Sequence, residues 1–261
     1  SYPAGIACCL QTANGAGPYR AKTTIGEEHP YITQDGPDGD IFAQQYVANL
    51  RDGSNAGYRS FDDFLARLTH AKRKKIRQER RKVAEAGITF RILRGAQIRA
   101  DDWAFFHACY ARTYAEHRST PYLNLGFFAE HARQAGDACV LMIAERGGQP
   151  VAASFFLRDA DALYGRYWGA TEFIPCLHFE ACYYQAIDYA IQQGLARFEG
   201  GAQGEHKLSR GLEPVRTTSA HWIADPRFRD AVRRFLAQER DGVDGYLDEL
   251  TEHLPFRRQG E

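Results

Sequence analysis

The sequence predicts an α+β fold, with a mixed, mainly antiparallel sheet, a strand meander followed by a crossover helix, and further helices on the flanks. Three observations predict it. Between Cys139 and Trp168, three apolar runs are separated by two short polar turns, Arg146-Gly147-Gly148-Gln149 and Arg158-Asp159-Ala160-Asp161. Short turns of this kind join neighbouring antiparallel strands. A helical period then runs from about Leu177 to Gln193, closes at Gly194, and hands over to a strand, Leu195 to Glu199. A strand, a helix and a return strand make a crossover. Two helical stretches upstream, from Ser60 to Ala86 and from Asp101 to Ala135, supply the flanking layer.

The 261 residues suffice for one large domain or two small ones. Lys plus Arg equals Asp plus Glu at 33 each, so whole-molecule charge points to no partner. Cys8, Cys9, Cys109, Cys139, Cys176 and Cys182 form no C-x-x-C pair and lie mostly in apolar runs. They read as reduced core thiols of a cytoplasmic protein, with no metal site among them. No apolar run approaches the roughly 20 residues of a membrane span. The first residue is Ser, which leaves an upstream segment open.

Residues 1–56 carry recurrent turn formers, such as Asn14-Gly15 and Asp35-Gly36-Pro37-Asp38-Gly39, and keep neither period. They read as loops, poorly ordered or the remnant of a larger N-terminal part. Order begins at Ser60, where Ser60-Phe61-Asp62-Asp63 is a capping-box variant and Phe61, Phe64, Leu65 and Leu68 share a face. The segment from Thr69 to Ala86 is strongly basic: Lys72, Arg73, Lys74, Lys75, Arg77, Arg80, Arg81 and Lys82, with Glu79 the one acid before Glu85. Ile76 and Val83 mark a thin apolar seam, and Gly87 suits the position after a helix end. Such a face attracts phosphate; the alternative is a solvated helix whose charges meet carboxylates elsewhere. Ile88 to Leu93 alternates as a strand. Trp103, Phe106, Tyr110 and Tyr114 form an aromatic stripe that reads as core. A shorter helix, Leu125 to Ala135, ends at Gly136. Cys139 to Glu145, nearly all apolar, reads as a central strand. In the crossover helix Phe179, Cys182, Tyr183, Ala186, Ile187 and Ala190 share the buried face. Thr217 to Ile223 reads as the last strand. Asp225-Pro226 then starts a helix with Phe228, Val232 and Phe235 on its buried face.

The stretch from Phe198 to Glu213 is the candidate site. It carries Gly200, Gly201, Gly204 and Gly211 together with Glu199, Gln203, Glu205, His206, Lys207 and Arg210. A core absorbs so many polar groups only if each has a partner, since an unpaired buried group costs roughly 1–3 kcal/mol. A glycine-rich loop leaving a strand with both acid and base is a substrate cradle. A solvated surface loop is the alternative.

The runs Gly57–Leu65, Arg73–Arg81, Tyr167-Trp168-Gly169-Ala170, His178-Phe179-Glu180 and Phe198–Lys207 resemble the FemAB-like family of predicted bacterial N-acyltransferases. The order of elements resembles the second half of a GNAT-type acyltransferase fold. The resemblance implies a transferase domain over residues 57–261, and transfer of an acyl or aminoacyl group to an amine, as in the Fem enzymes that build peptidoglycan cross-bridges. It implies a phosphate-bearing donor, aminoacyl-tRNA or acyl-CoA, no tightly bound cofactor, and a peptidoglycan precursor as acceptor. By the same match Lys207 contacts an acceptor phosphate, with help from Arg210 and Gln203. Glu205 or His206 takes the amine proton, and Glu199 is the rival base. Tyr167 and Trp168 wall the acyl pocket. Lys72, Arg73, Lys75, Arg77, Arg80 and Arg81 hold donor phosphate. Glu180, early in its helix, suits either a capping or a catalytic role. The loop Gly169–Cys176 departs from the acetyl-CoA pattern. It holds one glycine and an acid, Glu172, which makes it a poor anion nest and favours tRNA over CoA. A CoA enzyme with an unusual site and a non-catalytic RNA-binding adaptor are the alternatives.

Overall fold

The computed structural model describes residues 6–7, 12–13, 40–51, 56–202, 205–219, 222–223 and 225–256. The strands are β1 (Ile6–Ala7), β2 (Thr12–Ala13), β3 (Asp40–Asn49), β4 (Ile88–Arg94), β5 (Cys139–Arg146), β6 (Gln149–Arg158), β7 (Ala162–Ala170), β8 (Arg197–Ala202), β9 (Glu213–Ser219) and β10 (Trp222–Ile223). The α-helices are α1 (Phe61–Ala66), α2 (His70–Glu85), α3 (Ala100–Glu116), α4 (Leu125–Ala135), α5 (Leu177–Phe179), α6 (Gln185–Gln192) and α7 (Pro226–Glu252). The chain divides into two compact units that interleave in sequence. One comprises residues 1–46, 202–204 and 214–254, the other 47–201, 205–213 and 255–261.

In the first unit β1 pairs antiparallel with β10, and β2 with β9. The ten-residue β3 lies where the sequence reads as loops. Tyr46, Val47 and Ala48 are all buried, so consecutive residues on both faces of the strand are covered. A strand covered on both sides loses the alternation by which strands are recognised. Helix α7 starts as expected: the Asp225 side chain accepts from the Arg227 and Phe228 amides at 2.8 and 3.4 Å, with Pro226 in the first turn. Its expected buried face is corrected. Phe228 and Phe235 are each 60% exposed, Val232 is half-buried, and among the described side chains of the helix the covered ones are Leu236 and Leu250, two heptads apart. Spacing tells which residues share a face; it does not tell which face is covered.

The second unit carries a mainly antiparallel sheet in the order β4-β5-β6-β7-β8, with β7 and β8 parallel. From Cys139 to Ala144, β5 is buried on both faces, the central strand the apolar run predicts. One face packs on α3 and α4 through Trp103, Phe106, Tyr110, Phe128 and Phe155. Phe106 and Phe128 meet edge to face at 5.0 Å, as aromatic quadrupoles prefer. Val83, Ile88, Ala144, Val151, Ile174 and Leu177 form the cluster on α2 and the start of α5. In front of α1 the Ser60 hydroxyl accepts from the Asp63 amide at 3.1 Å, and Phe61, Phe64, Leu65 and Leu68 are buried as their spacing predicts.

Two features position the site. The crossover helix is not continuous: Glu180–Tyr184 form a π-turn between α5 and α6. The turn buries Glu180, Ala181, Tyr183 and Tyr184. The second feature is the close approach of β7 to α3 at Gly169. A Cβ there would lie 2.2 Å from the Cys109 carbonyl oxygen. Gly169→Ala is therefore expected to cost about 1–3 kcal/mol by overpacking. Thermal melts should show this as a loss of roughly 2–4 °C per kcal/mol. Gly245→Ala, which meets nothing within 4 Å on α7, should leave the midpoint unchanged or raise it.

Candidate active site

β7 and β8 pair in parallel only from Ala162–Arg197 to Tyr164–Glu199. The register of β7 against β6 shifts immediately afterwards, with Phe155 opposite Tyr167 and Phe156 opposite Gly165, so Arg166 is the extra residue of a β-bulge. A bulge bends and twists its strand. β7 thus leaves β8 where the ladder ends, and the wedge is this parting of the strands beyond Tyr164 and Glu199. Alternation sends Tyr167 and Trp168 to opposite faces. Tyr167 packs on Tyr110 at 4.9 Å and on Phe128, in the α3–α4 core. Trp168 turns to the other face, where its ring lies 5.5 Å from His178. Of the two expected wall residues, Trp168 is therefore the one on the side of the candidate site.

The chain after β8 enters a six-residue 3₁₀ turn, Glu205–Arg210, that returns to the wedge. Its Lys207 is 4% exposed and donates to the Gly201 carbonyl at 3.1 Å, at the end of β8. Burial lowers its pKa to about 8. His206 is exposed, and its Nε2 lies 3.2 Å from the Tyr183 hydroxyl. Burial and the neighbouring Arg210 and Lys207 lower its pKa, so the ring is neutral near pH 7. Where Nε2 donates to Tyr183, Nδ1 remains as a free base. The His178 ring stands 6.4 Å from that of His206 and 5.7 Å from that of Tyr183. Burial first, then His206, Arg210 and Lys207, depress its pKa to about 4. Two neutral imidazoles therefore lie close to the Lys207 ammonium and to Arg210, whose charge is met by Glu79.

The carboxylates nearby are committed. The buried Glu199 accepts from Arg197 Nε at 3.0 Å. Glu79, the lone acid of the basic stretch, is buried and accepts from Arg210 Nη2 at 3.3 Å and from the Tyr184 hydroxyl. Arg210 is itself buried over the Phe179 ring, 3.5 Å from its centroid. Glu180, in the π-turn, accepts from Arg80 Nε at 3.1 Å and Gln185 Nε2 at 2.8 Å; its other oxygen is buried. It anchors Arg80 rather than capping a helix. Glu172 pairs with Arg146 in the loop after β7. Gln203 and the side chain of Glu205 lie outside the described residues.

The structure also divides the basic stretch. Arg80 turns inward between Glu180, Asp188 and the Phe61 ring. Arg73, Lys74, Arg77 and Arg81, with His70 and Gln78, line an outward-facing depression of about 520 Å³. Arg77 meets only the exposed Asp62, at 2.9 Å, and Arg81 the exposed Glu85, at 3.9 Å. Exposed pairs of this kind hold little energy and exchange readily for phosphate. Lys72 is half-buried, and Lys75 exposed. Sequence reasoning passed over Glu79, Tyr183 and the π-turn; the one available signal was a single acid among many cations.

The family model described as FemAB-like, peptidoglycan biosynthesis/recognition, matches residues 44–258. The chain belongs to the FemAB-like family. No curated protein sequence matches it. The crystal structure of FemX aligns with this FemAB-like chain at a TM-score of 0.51 and 10% identity, covering 77% of this chain and 67% of FemX. L-PGS from Bacillus licheniformis aligns at 0.52 and 10%, covering 83% and 66%. The C-terminal domain of a putative lysylphosphatidylglycerol synthetase from Agrobacterium fabrum aligns at 0.44 and 9%, covering 68% and 60%. At such identities the likeness is one of fold, and this chain spans only 60–67% of the length of those three. Among the described residues no helix is long and apolar enough to cross a membrane.

The depressed His178 has a sign in pH. Between its ordinary value near 6.5 and its folded value of about 4, the unfolded chain holds more of a proton there than the folded one. Stability at this site is therefore lost as the pH falls through that window. The His178 imidazole is expected to titrate near 4 by NMR, and His178→Gln should lessen the fall in melting temperature between pH 6.5 and 4.

Proposed function

We propose that this protein is an N-acyl or aminoacyl transferase acting on an amine of a peptidoglycan precursor, with the wedge between β7 and β8 as its transfer site. The observation that carries the reading is the parting of the two strands beside the neutral His206. An acyl carbonyl laid in the wedge meets backbone that has no partner strand there, and the attacking amine must lose a proton as the amide forms. In this reading His206 accepts that proton, with Tyr183 orienting its ring. The family match supports the substrate class. Lys207 is buried and tied to the Gly201 carbonyl, so its part is to set positive potential at the wedge. Glu199, held by Arg197, is the weaker base. The expected product is detected by mass spectrometry after incubation with a nucleotide-linked muropeptide and either aminoacyl-tRNA or acyl-CoA. His206→Ala should cut the rate by roughly 10²–10⁴-fold, the range for a lost general base. No product from either donor across a panel of amine acceptors would remove the assignment.

For the donor, the reading favours aminoacyl-tRNA. The outward face of α2 offers Arg73, Lys74, Arg77 and Arg81 along one stripe. The loop after β7 instead carries Glu172, and its Thr171 and Leu177 amides are spent on Val151 and Ile174 carbonyls. A carboxylate and used amides make poor company for a pyrophosphate. RNA affinity is expected to fall steeply with salt. Each of Arg73→Ala, Arg77→Ala and Arg81→Ala should flatten the logarithmic slope by about 0.7–0.9. Arg80→Ala should leave the slope alone and lower the melting temperature. Protection from heat by acyl-CoA but not by tRNA would instead select the CoA donor.

A further inference from the structure

We infer that Glu79 is a positioning residue for the proposed transfer site: through Arg210 and Tyr184 it holds the turn that presents His206 and Lys207. The inference rests on the site assigned above. Glu79 itself is 8% exposed and both of its carboxylate oxygens face Arg210 or Tyr184, so it is placed to hold its neighbours. Its reach is indirect. Arg210 Nη2 bonds to Glu79, and Arg210 Nη1 donates to the His206 carbonyl at 2.7 Å and to Ser209 Oγ at 3.2 Å. The guanidinium thus ties the carboxylate of α2 to the backbone of the residue proposed as base. The π-turn adds a second tie. Tyr184 donates to Glu79 while its neighbour Tyr183 meets His206 Nε2.

The turn needs such bracing. A 3₁₀ helix has poorer hydrogen-bond geometry than an α-helix and rarely runs beyond three or four residues unsupported. This one spans Glu205–Arg210 and ends at Gly211, whose φ is +84°. A Cβ at Gly211 would lie 2.7 Å from the Phe64 ring, so the turn is seated against α1 at its far end. At its near end Glu79 and Arg210 fix it. If Glu79 loses its charge, a buried guanidinium is left without a counterion, which is unfavourable enough to drive it towards water. The His206 carbonyl and ring would move with it.

The test is an NMR titration of His206 in the full chain, and it needs no substrate. In the parent protein His206 titrates below the ordinary histidine value. In Glu79→Gln it is expected to rise, because the released turn draws the ring out of its partial cover beside Tyr183 and Phe179. Ile76→Ala, which loosens the same helix from its apolar seam, should lower the melting temperature yet leave the His206 midpoint in place. An unchanged or lower midpoint in Glu79→Gln would overturn the proposal. Should that variant fail to fold, Glu79→Asp withdraws the carboxylate from Arg210 and Tyr184 by one methylene while every charge around His206 is kept. A rise of the His206 midpoint in that variant supports the proposal; an unchanged or lower midpoint, or failure of that variant to fold, overturns it. An absent transferase activity with an intact rise would count against the assigned reaction and not against Glu79.

Discussion

A carboxylate and a guanidinium, both buried, face each other between α2 and the turn after β8. Glu79 and Arg210 are the constraint on which the local geometry depends. Neither charge is stable there without the other, since an isolated buried ion costs several kcal/mol. The pair therefore commits three elements to one arrangement: the basic helix, the π-turn and the 3₁₀ turn. Arg80, the next residue along α2, repeats the device with Glu180 and Asp188. Two adjacent residues thus pin the helix from within and leave its outer stripe of cations free of the core.

The same pairing shapes the electrostatics of the wedge. With Glu79, Glu180 and Glu199 held by Arg210, Arg80 and Arg197, the described carboxylates around the site are spoken for. His178 and His206 are pushed towards their neutral forms by burial and by neighbouring charge, Arg210 and Lys207 included, and Lys207 by burial. A neutral imidazole beside an opening in the sheet suits amide formation, which must take a proton from an amine near neutral pH. The opening itself follows from one extra residue, Arg166, at the bulge of β7.

Much of this was legible in the chain. Polar turns delimit the meander, Gly194 closes the crossover helix, and Ser60 and Asp225 cap their helices as their residue types suggest. These are local effects of backbone chemistry and short-range hydrogen bonds. The polar stretch after β8 also announced itself, because its charges demand partners. What stayed hidden depends on distant residues. Glu79 is 131 positions from Arg210, and nothing in the helix pattern distinguishes it from a solvated acid. Arg80 reads like Arg81 and Arg77, yet it alone of the three turns inward. Strand β3 was missed since Tyr46, Val47 and Ala48 are covered in succession, which erases alternation there, and the faces of α7 were misjudged since spacing carries no information about what packs against them.

The sequence by itself determined the order of strands and helices from α1 to β8, the buried seam of α2 and the place of the polar loop, because each follows from periodicity, caps and turn residues within a few positions. Only the tertiary structure decided that β7 leaves β8 at Tyr164, that Tyr167 and Trp168 serve opposite faces, and that the lone acid of the basic helix holds Arg210. Those outcomes are set by which surfaces meet, and burial gives a charge its partner only once the chain has closed around it.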